Sequence, residues 1–258
     1  MEYKSILVEY DTISNIVLNR PEKRNALSPS MLAEMKEAIQ TLGKSSEVKV
    51  IILKGAGKGF CAGADLTLMA ADDGIMKSLE MKTQIMDLLT IISKTEKVVI
   101  SQLHGFALAG GFGIGMAADL VTVSEDCKLG MPEIKRGLGP MNIMNPLDKC
   151  MPRRKLLEMI YTGCTITAQE AAEWGLINRI VAADRLDEAT LELAQSIACN
   201  SGSALKLCKS AFYNMQNMDF YTAFQYLTEH LTINSMTLDA KEGIEAFLEK
   251  REPVWTNR

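Results

Sequence analysis

Leu103-His104-Gly105-Phe106-Ala107-Leu108-Ala109-Gly110-Gly111-Phe112-Gly113-Ile114-Gly115-Met116 is the stretch around which the chain is organised. The apolar run Val98-Val99-Ile100 leads into it. Small residues then let the backbone turn sharply and begin a helix. A strand, a glycine turn and a helix N-terminus, in that order, leave backbone N–H groups without intrahelical partners. Such groups bind an anion or a developing oxyanion. A buried helix packed closely on a sheet also calls for small residues, so glycine content alone leaves both readings open.

A second stretch of the same kind lies upstream. Gly59-Phe60-Cys61-Ala62-Gly63-Ala64-Asp65-Leu66 follows a strand-like run over residues 48–53. Downstream, Gly130-Met131-Pro132-Glu133 places a carboxylate just after a proline. Two turns that present N–H groups and one carboxylate are the parts needed to polarise a carbonyl and move a proton beside it.

In this order and spacing the three stretches resemble the enoyl-CoA hydratase/isomerase (crotonase) superfamily. Arg20-Pro21-Glu22-Lys23-Arg24-Asn25-Ala26-Leu27 resembles the family's N-terminal signature. Thr162-Gly163, followed by Ala168-Gln169-Glu170-Ala171-Ala172-Glu173-Trp174-Gly175-Leu176-Ile177-Asn178, resembles a later one. The resemblance implies an α/β fold, a crotonase-like ββα spiral core followed by a helical C-terminal region. It divides the chain into residues 1–195 and 196–258, with the second region serving oligomerisation as a trimer or hexamer.

The resemblance also implies site residues. The oxyanion-hole N–H groups fall at Ala64 and Gly110. Glu133 matches the second of two catalytic glutamates in the hydratases, and as general acid/base it gains from partial burial near Met131 and Leu138, which raises a carboxyl pKa. A solvated glutamate after a proline is the plainer reading of the same residue. CoA and substrate contacts fall at Arg24, Ala26, Ala62, Asp65, Leu66 and Gly111. Phe247 and Lys250 match positions that reach the nucleotide from a neighbouring subunit. Lys250 also reads as a solvated lysine in the cluster Glu249-Lys250-Arg251.

One departure matters for the reaction. Gly113 stands where the hydratases carry their first glutamate, which helps hold the attacking water. Hydration needs a water aligned and deprotonated as well as a proton delivered to carbon, whereas shifting a double bond needs one base. A single carboxylate therefore favours isomerisation. Hydration of a 2-enoyl-CoA with water held by another group is an alternative, and non-catalytic acyl-CoA binding is a third. Asn142 and Asn145 follow Glu133 and supply either such a hydrogen bond or a helix cap. Met69, Met116, Met131, Met141 and Met144 read either as a flexible acyl pocket or as core filling. His104 reads as a structural hydrogen-bonder to the turn.

Composition narrows the classes. The 258 residues are 47% hydrophobic and carry 28 basic against 32 acidic side chains, net charge −4. No basic excess points to nucleic acid. Six scattered cysteines show no metal spacing and read as reduced thiols of a cytoplasmic protein. Two histidines are too few for a His-rich metal site. No metal and no cofactor is expected beyond the CoA of the substrate. No apolar run long enough for a membrane span occurs.

Along the chain, residues 5–10 and 13–19 read as a hairpin. Ser28-Pro29 opens a helix with Met31, Leu32, Met35, Ile39 and Leu42 on one face, stopped by Gly43. Residues 72–93 read as helix, with Leu79, Ile85, Met86, Leu89 and Ile92 as its apolar set. The alternation of strands and helices argues for parallel, right-handed crossovers. Asp119 reads as a backbone hydrogen-bonder. From Pro152 on the pattern reads as almost wholly helical, with a capping box at Thr167 and Glu170.

Overall fold

The computed structural model describes residues 3–69 and 74–257, apart from the side chains of Met69 and Lys77. The expected helix start at Asp72 and the Met69 side chain therefore lie outside the described residues.

β1 (Ile6–Glu9) and β2 (Ile13–Leu18) form the expected antiparallel hairpin. α1 (Pro29–Lys44) starts at Ser28, whose hydroxyl accepts from the Met31 N–H at 3.3 Å. Gly43 does not stop this helix. It lies inside it, where a Cβ would stand 2.7 Å from the Thr95 hydroxyl oxygen, so its smallness serves close packing.

β3 (Val50–Gly55) runs parallel to β2. The short α2 (Leu66–Met69) and the long α3 (Gly74–Lys94) follow. In α3 the buried positions are Ile85, Leu88 and Ile92, while Leu79 and Met86, expected on the apolar face, are exposed. β4 (Val98–Leu103), β5 (Phe106–Leu108), α4 (Gly110–Ala117), β6 (Leu120–Ser124) and β7 (Lys128–Gly130) then alternate between two sheets. α5 (Met141–Asp148) and α6 (Arg153–Thr162) close this part.

The stretch after Pro152 is less helical than its pattern implies. β8 (Thr165–Thr167) joins the small sheet and β9 (Arg179–Val181) the large one, with α7 (Ala168–Glu173) between them. At three residues each, these strands are too short to show a period. The large sheet is ordered β1-β2-β3-β4-β6-β9 and the small one β5-β7-β8. Each advance of the chain lays one strand in the large sheet and the next segment beside the small one. This is the spiral.

Alternate residues decide what covers the large sheet. Ile51, Leu53 and Val99 face the main core with α1, α3 and α4. Val50, Ile52 and Ile100 face the other way and pack with Ala194 of α8 (Leu186–Ala198). A parallel sheet buried on both faces reads as a continuous apolar run, which is what residues 50–53 show.

α9 (Gly202–Met215), α10 (Phe220–Ser235) and α11 (Leu238–Glu249) complete the chain. A buried lysine ties α9 to the spiral. Lys209 Nζ donates to the carbonyls of Ile92 and Lys97 at 2.9 and 2.8 Å and to Asp119 Oδ2 at 2.7 Å. Asp119 Oδ2 also accepts from the Val99 N–H at 2.7 Å, and Oδ1 from the Tyr213 hydroxyl at 2.9 Å. Asp119 is thus the backbone hydrogen-bonder expected, and it is also half of a buried ion pair that sequence spacing hides. Burial pushes the Lys209 ammonium below its ordinary range, and Asp119 opposes that shift.

Removing one partner of such a pair strands the other charge. Lys209→Met should lower stability by about 3–5 kcal/mol. Lys209→Met with Asp119→Asn should cost less than the two single changes summed. Urea unfolding at fixed protein concentration measures both.

Candidate active site

The site begins with the loop before α1. Arg24 and Asn25 both have positive φ, 54° and 53°. Asn25 is fully buried, and its side chain is the hub of the loop. Its Oδ1 accepts from the Arg20 N–H at 2.9 Å, and its Nδ2 donates to the carbonyls of Ala56 and Gly59 at 2.8 and 3.0 Å. Asparagine tolerates the left-handed region better than most residues. An asparagine before an apolar run is the one local signal the sequence offers for this hub.

This loop lays its backbone against the Ala64 turn. The Leu27 N–H donates to the Gly63 carbonyl at 2.8 Å, and the Asp65 N–H to the Leu27 carbonyl at 3.0 Å. These bonds bracket Ala64, so its own N–H points to the opposite edge, where Ala64 lines a cavity of about 930 Å³.

The second turn comes from β5. Ala109 has φ 52° and ψ −128°, and its N–H donates to the Gly130 carbonyl at 2.8 Å. A non-glycine residue in such a conformation costs about 1–3 kcal/mol and persists only where the surroundings hold it. Gly110 follows as the first residue of α4, with its N–H free of any intrahelical acceptor, and it lines the same cavity. A Cβ on Gly63 would lie 2.6 Å from the Ala109 Cβ and 3.4 Å from the Gly110 nitrogen. The two turns therefore abut, and glycine at 63 makes that possible.

Glu133 enters from a 3₁₀ turn, Pro132–Arg136. It lines the cavity with Ala64 and Gly110, and its Oε2 is buried without a hydrogen-bond partner. Burial pushes the Glu133 carboxyl above the usual carboxylate range; its own backbone N–H and Arg136 pull it partly back. A carboxylate with one oxygen unpartnered and partly desolvated is suited to taking up a proton.

Arg24, Ala26, Ala62, Asp65 and Leu66 line the cavity too. The Arg24 guanidinium lies 4.4 Å above the Phe106 ring. The Asp65 carboxylate is already committed. It accepts from Thr67 Oγ1 at 2.6 Å and from Arg20 Nη2 at 3.2 Å, and these contacts, Thr67 foremost, hold its pKa low. Its side chain ties the loop to the turn rather than standing ready for a ligand. Gly111 lies outside the cavity lining: a Cβ there would stand 2.5 Å from the Cys61 carbonyl oxygen, so it packs the turn on its neighbour. Phe247 and Lys250 sit at the exposed end of α11, away from this cavity.

Other expectations change as well. Neither asparagine caps α5: Pro140 occupies that position, and Asn142 Nδ2 donates to the Lys82 carbonyl at 3.0 Å. Of the named methionines, Met116 and Met131 are buried in the core and Met144 packs against it, while Met141 lines the cavity. His104 Nε2 bonds the Gly57 carbonyl at 2.9 Å, as expected of a structural residue.

At Gly113 the structure adds a residue that sequence reasoning missed. A Cβ built there would stand 2.1 Å from Ile143 Cγ2 and 2.6 Å from Ile143 Cβ. Ile143 of α5 occupies the space a side chain at 113 would need. The two positions lie far apart in sequence, and no local pattern links them.

A ββα spiral holding two facing N–H turns and one desolvated carboxylate defines a crotonase-type enzyme. The sequence matches the enoyl-CoA hydratase/isomerase family over residues 9–258, and the chain belongs to that family, whose enzymes act on acyl-CoA. It is 33% identical to the mitochondrial enoyl-CoA hydratase domain-containing protein 3 of Rattus norvegicus, across 96% of this chain and 83% of that one. It is also 33% identical to a carnitinyl-CoA dehydratase of Salmonella heidelberg, across 95% of each. The crystal structure of an enoyl-CoA hydratase from Mycobacterium smegmatis superposes with a TM-score of 0.95 at 31% identity, covering 98% of this chain and 99% of that one.

The packing at position 113 is directly testable. Gly113→Glu should overpack the α4–α5 contact and cost about 1–3 kcal/mol. Adding Ile143→Ala should return part of that loss, because it empties the space the new side chain needs. Thermal melts of the single and double variants check this.

Proposed function

We propose that this chain shifts the double bond of an enoyl-CoA thioester. The Ala64 and Gly110 N–H groups receive the thioester oxygen. Glu133 removes a proton from the α-carbon of a 3-enoyl-CoA, and the negative charge moves onto the oxygen held by the two donors. Glu133 then returns the proton at C4, giving the 2-enoyl-CoA with no net gain or loss of atoms. One such N–H donor typically contributes about 3 kcal/mol to the transition state. The reaction so written uses backbone donors and one carboxylate, and calls on no metal or redox cofactor.

The observation that carries this reading is Ile143 filling the space beside Gly113. A second carboxylate to hold water has no room there, while one base suffices for isomerisation. Hydration of a 2-enoyl-CoA is the second reading, favoured by the names of the relatives, and it requires another group to hold the water.

Further parts of the proposal concern the assembly. Residues 196–258 would serve oligomerisation, supported by the exposed Phe220, Phe224, Leu231, Ile244 and Phe247 on α10 and α11. Phe247 and Lys250 would reach the nucleotide of a neighbour's CoA. No described helix is long and apolar enough to cross a membrane. We place the protein in the cytoplasm, a reading supported by its six unpaired cysteines.

Product mass spectrometry with 2-enoyl-CoA and 3-enoyl-CoA substrates tests the reaction. Unchanged mass with 3-enoyl converted to 2-enoyl is expected, and Glu133→Gln should lower the rate by about 10²–10⁴-fold. A gain of one water from 2-enoyl substrates would make the chain a hydratase. CoA affinity kept in Glu133→Gln, with no turnover before or after the change, would make it a binder.

The pH dependence has a definite sign. The rate should fall toward acid as Glu133 takes up its proton, at a pH above the ordinary glutamate range. A carboxyl whose folded pKa is raised holds its proton more tightly in the folded state, so stability drops as pH rises through that pKa. Glu133→Gln should therefore melt above the native protein at neutral pH, with the difference closing as pH is lowered. Melts across a pH series read this directly.

A further inference from the structure

Among the described residues, two cavity-lining side chains each bury an oxygen with no hydrogen-bond partner: Glu133, through Oε2, and Gln84, through Oε1. The three other such atoms, on Thr95, Ser124 and Asn234, belong to residues outside the cavity lining. Buried polar atoms are nearly always partnered, and an exception asks for a cause. For Glu133 the proposed proton transfer is that cause. Gln84 has no part in it.

Gln84 is held in place by its neighbours on α3. Ile85 and Leu88 are buried and anchor the helix. The Lys82 carbonyl, two residues back, accepts from Asn142 and so ties α3 to α5. The lining contributed by α3, α5 and the loop before α5 mixes apolar Ile85, Leu138, Pro140 and Ile143 with polar Ser78, Lys82 and Asn142.

We propose that Gln84 is a specificity-determining residue: its carboxamide oxygen accepts a hydrogen bond from a hydroxyl carried on the acyl group of the substrate. The preferred substrates are then acyl-CoA thioesters with a hydroxylated acyl chain, and plain alkyl chains leave the Gln84 Oε1 atom unpaired. This rests on the reading of the cavity as an acyl-CoA site. A site built to hydrogen-bond a substrate hydroxyl discriminates strongly against the analogue that lacks it.

The test is calorimetric binding of saturated acyl-CoA thioesters, which do not turn over. Plain and ω-hydroxylated chains of about four, six and eight carbons are compared, short enough for a cavity of drug-like size. At one length or more the native protein should bind the hydroxylated chain about tenfold more tightly, or about 1.4 kcal/mol. Gln84→Leu should abolish that preference without lowering the melting temperature, because it replaces an unpaired polar group by an apolar one. Gln84→Glu, which keeps an acceptor, should retain a preference.

Equal affinities at every length in the native protein would overturn the proposal, as would a preference that survives in Gln84→Leu. Equal weakening of both chains in Gln84→Leu would place the donor on the shared pantetheine arm and also overturn it. Binding of plain acyl-CoA without discrimination would leave the acyl-CoA reading standing while this proposal falls. No binding of any thioester would overturn both.

Discussion

The close approach of two backbone segments, 61–63 and 107–110, is the constraint on which the rest depends. The Leu108 N–H donates to the Cys61 carbonyl at 2.9 Å, and the Cys61 N–H to the Phe106 carbonyl at 3.2 Å. Gly63 then lies against Ala109 so closely that no side chain fits between them. This contact sets the separation of the Ala64 and Gly110 N–H groups, and everything around it keeps the contact in place. Asn25 fastens the outer loop to one turn, and the Gly130 carbonyl fastens the other to β7. Because Gly130 is three residues before Glu133, the bond that stabilises the strained Ala109 also fixes where the carboxylate enters.

The same small residues do unlike jobs. Gly110 leaves access to its backbone N–H group. Gly63, Gly111 and Gly113 are small because something already fills the space beside them, Ala109, Cys61 and Ile143 in turn. A glycine-rich sequence does not separate these uses. Buried Cys61 shows the consequence: desolvation pushes its thiol up to about 12, so it behaves as a packing residue under the turn rather than as a nucleophile.

What could be read in the sequence was what local pattern encodes. The hairpin, the Ser28 cap, the doubly covered β3 and the Thr167 capping box all follow from period and capping chemistry, and the structure has them. The resemblance supplied the order of the turns and of Glu133, and all three gather at one cavity. What stayed hidden was set by distant contacts. Gly43 looks like a helix stop until Thr95 is placed beside it. β8 and β9 are three residues each and owe their pairing to neighbours far along the chain. Lys209 sits in a stretch that reads simply as helix, and only the fold brings Asp119 and two carbonyls to its ammonium group.

Stability and chemistry pull in opposite directions at this site. A strained Ala109, an unpartnered Glu133 oxygen and an unpartnered Gln84 oxygen line one cavity. Each lowers the stability of the empty protein. A fold with one marginal core would not carry three such costs together, since net stabilities are only about 5–15 kcal/mol. Here the cavity is backed by a sheet buried on both faces, and the end of the helix that bears Gln84 is held by Lys209 through the Ile92 carbonyl. The buried ion pair behind the cavity lining and the unpaired groups within it are thus parts of one arrangement: a rigid surround lets polar atoms wait unpaired in the cavity for a ligand to satisfy them.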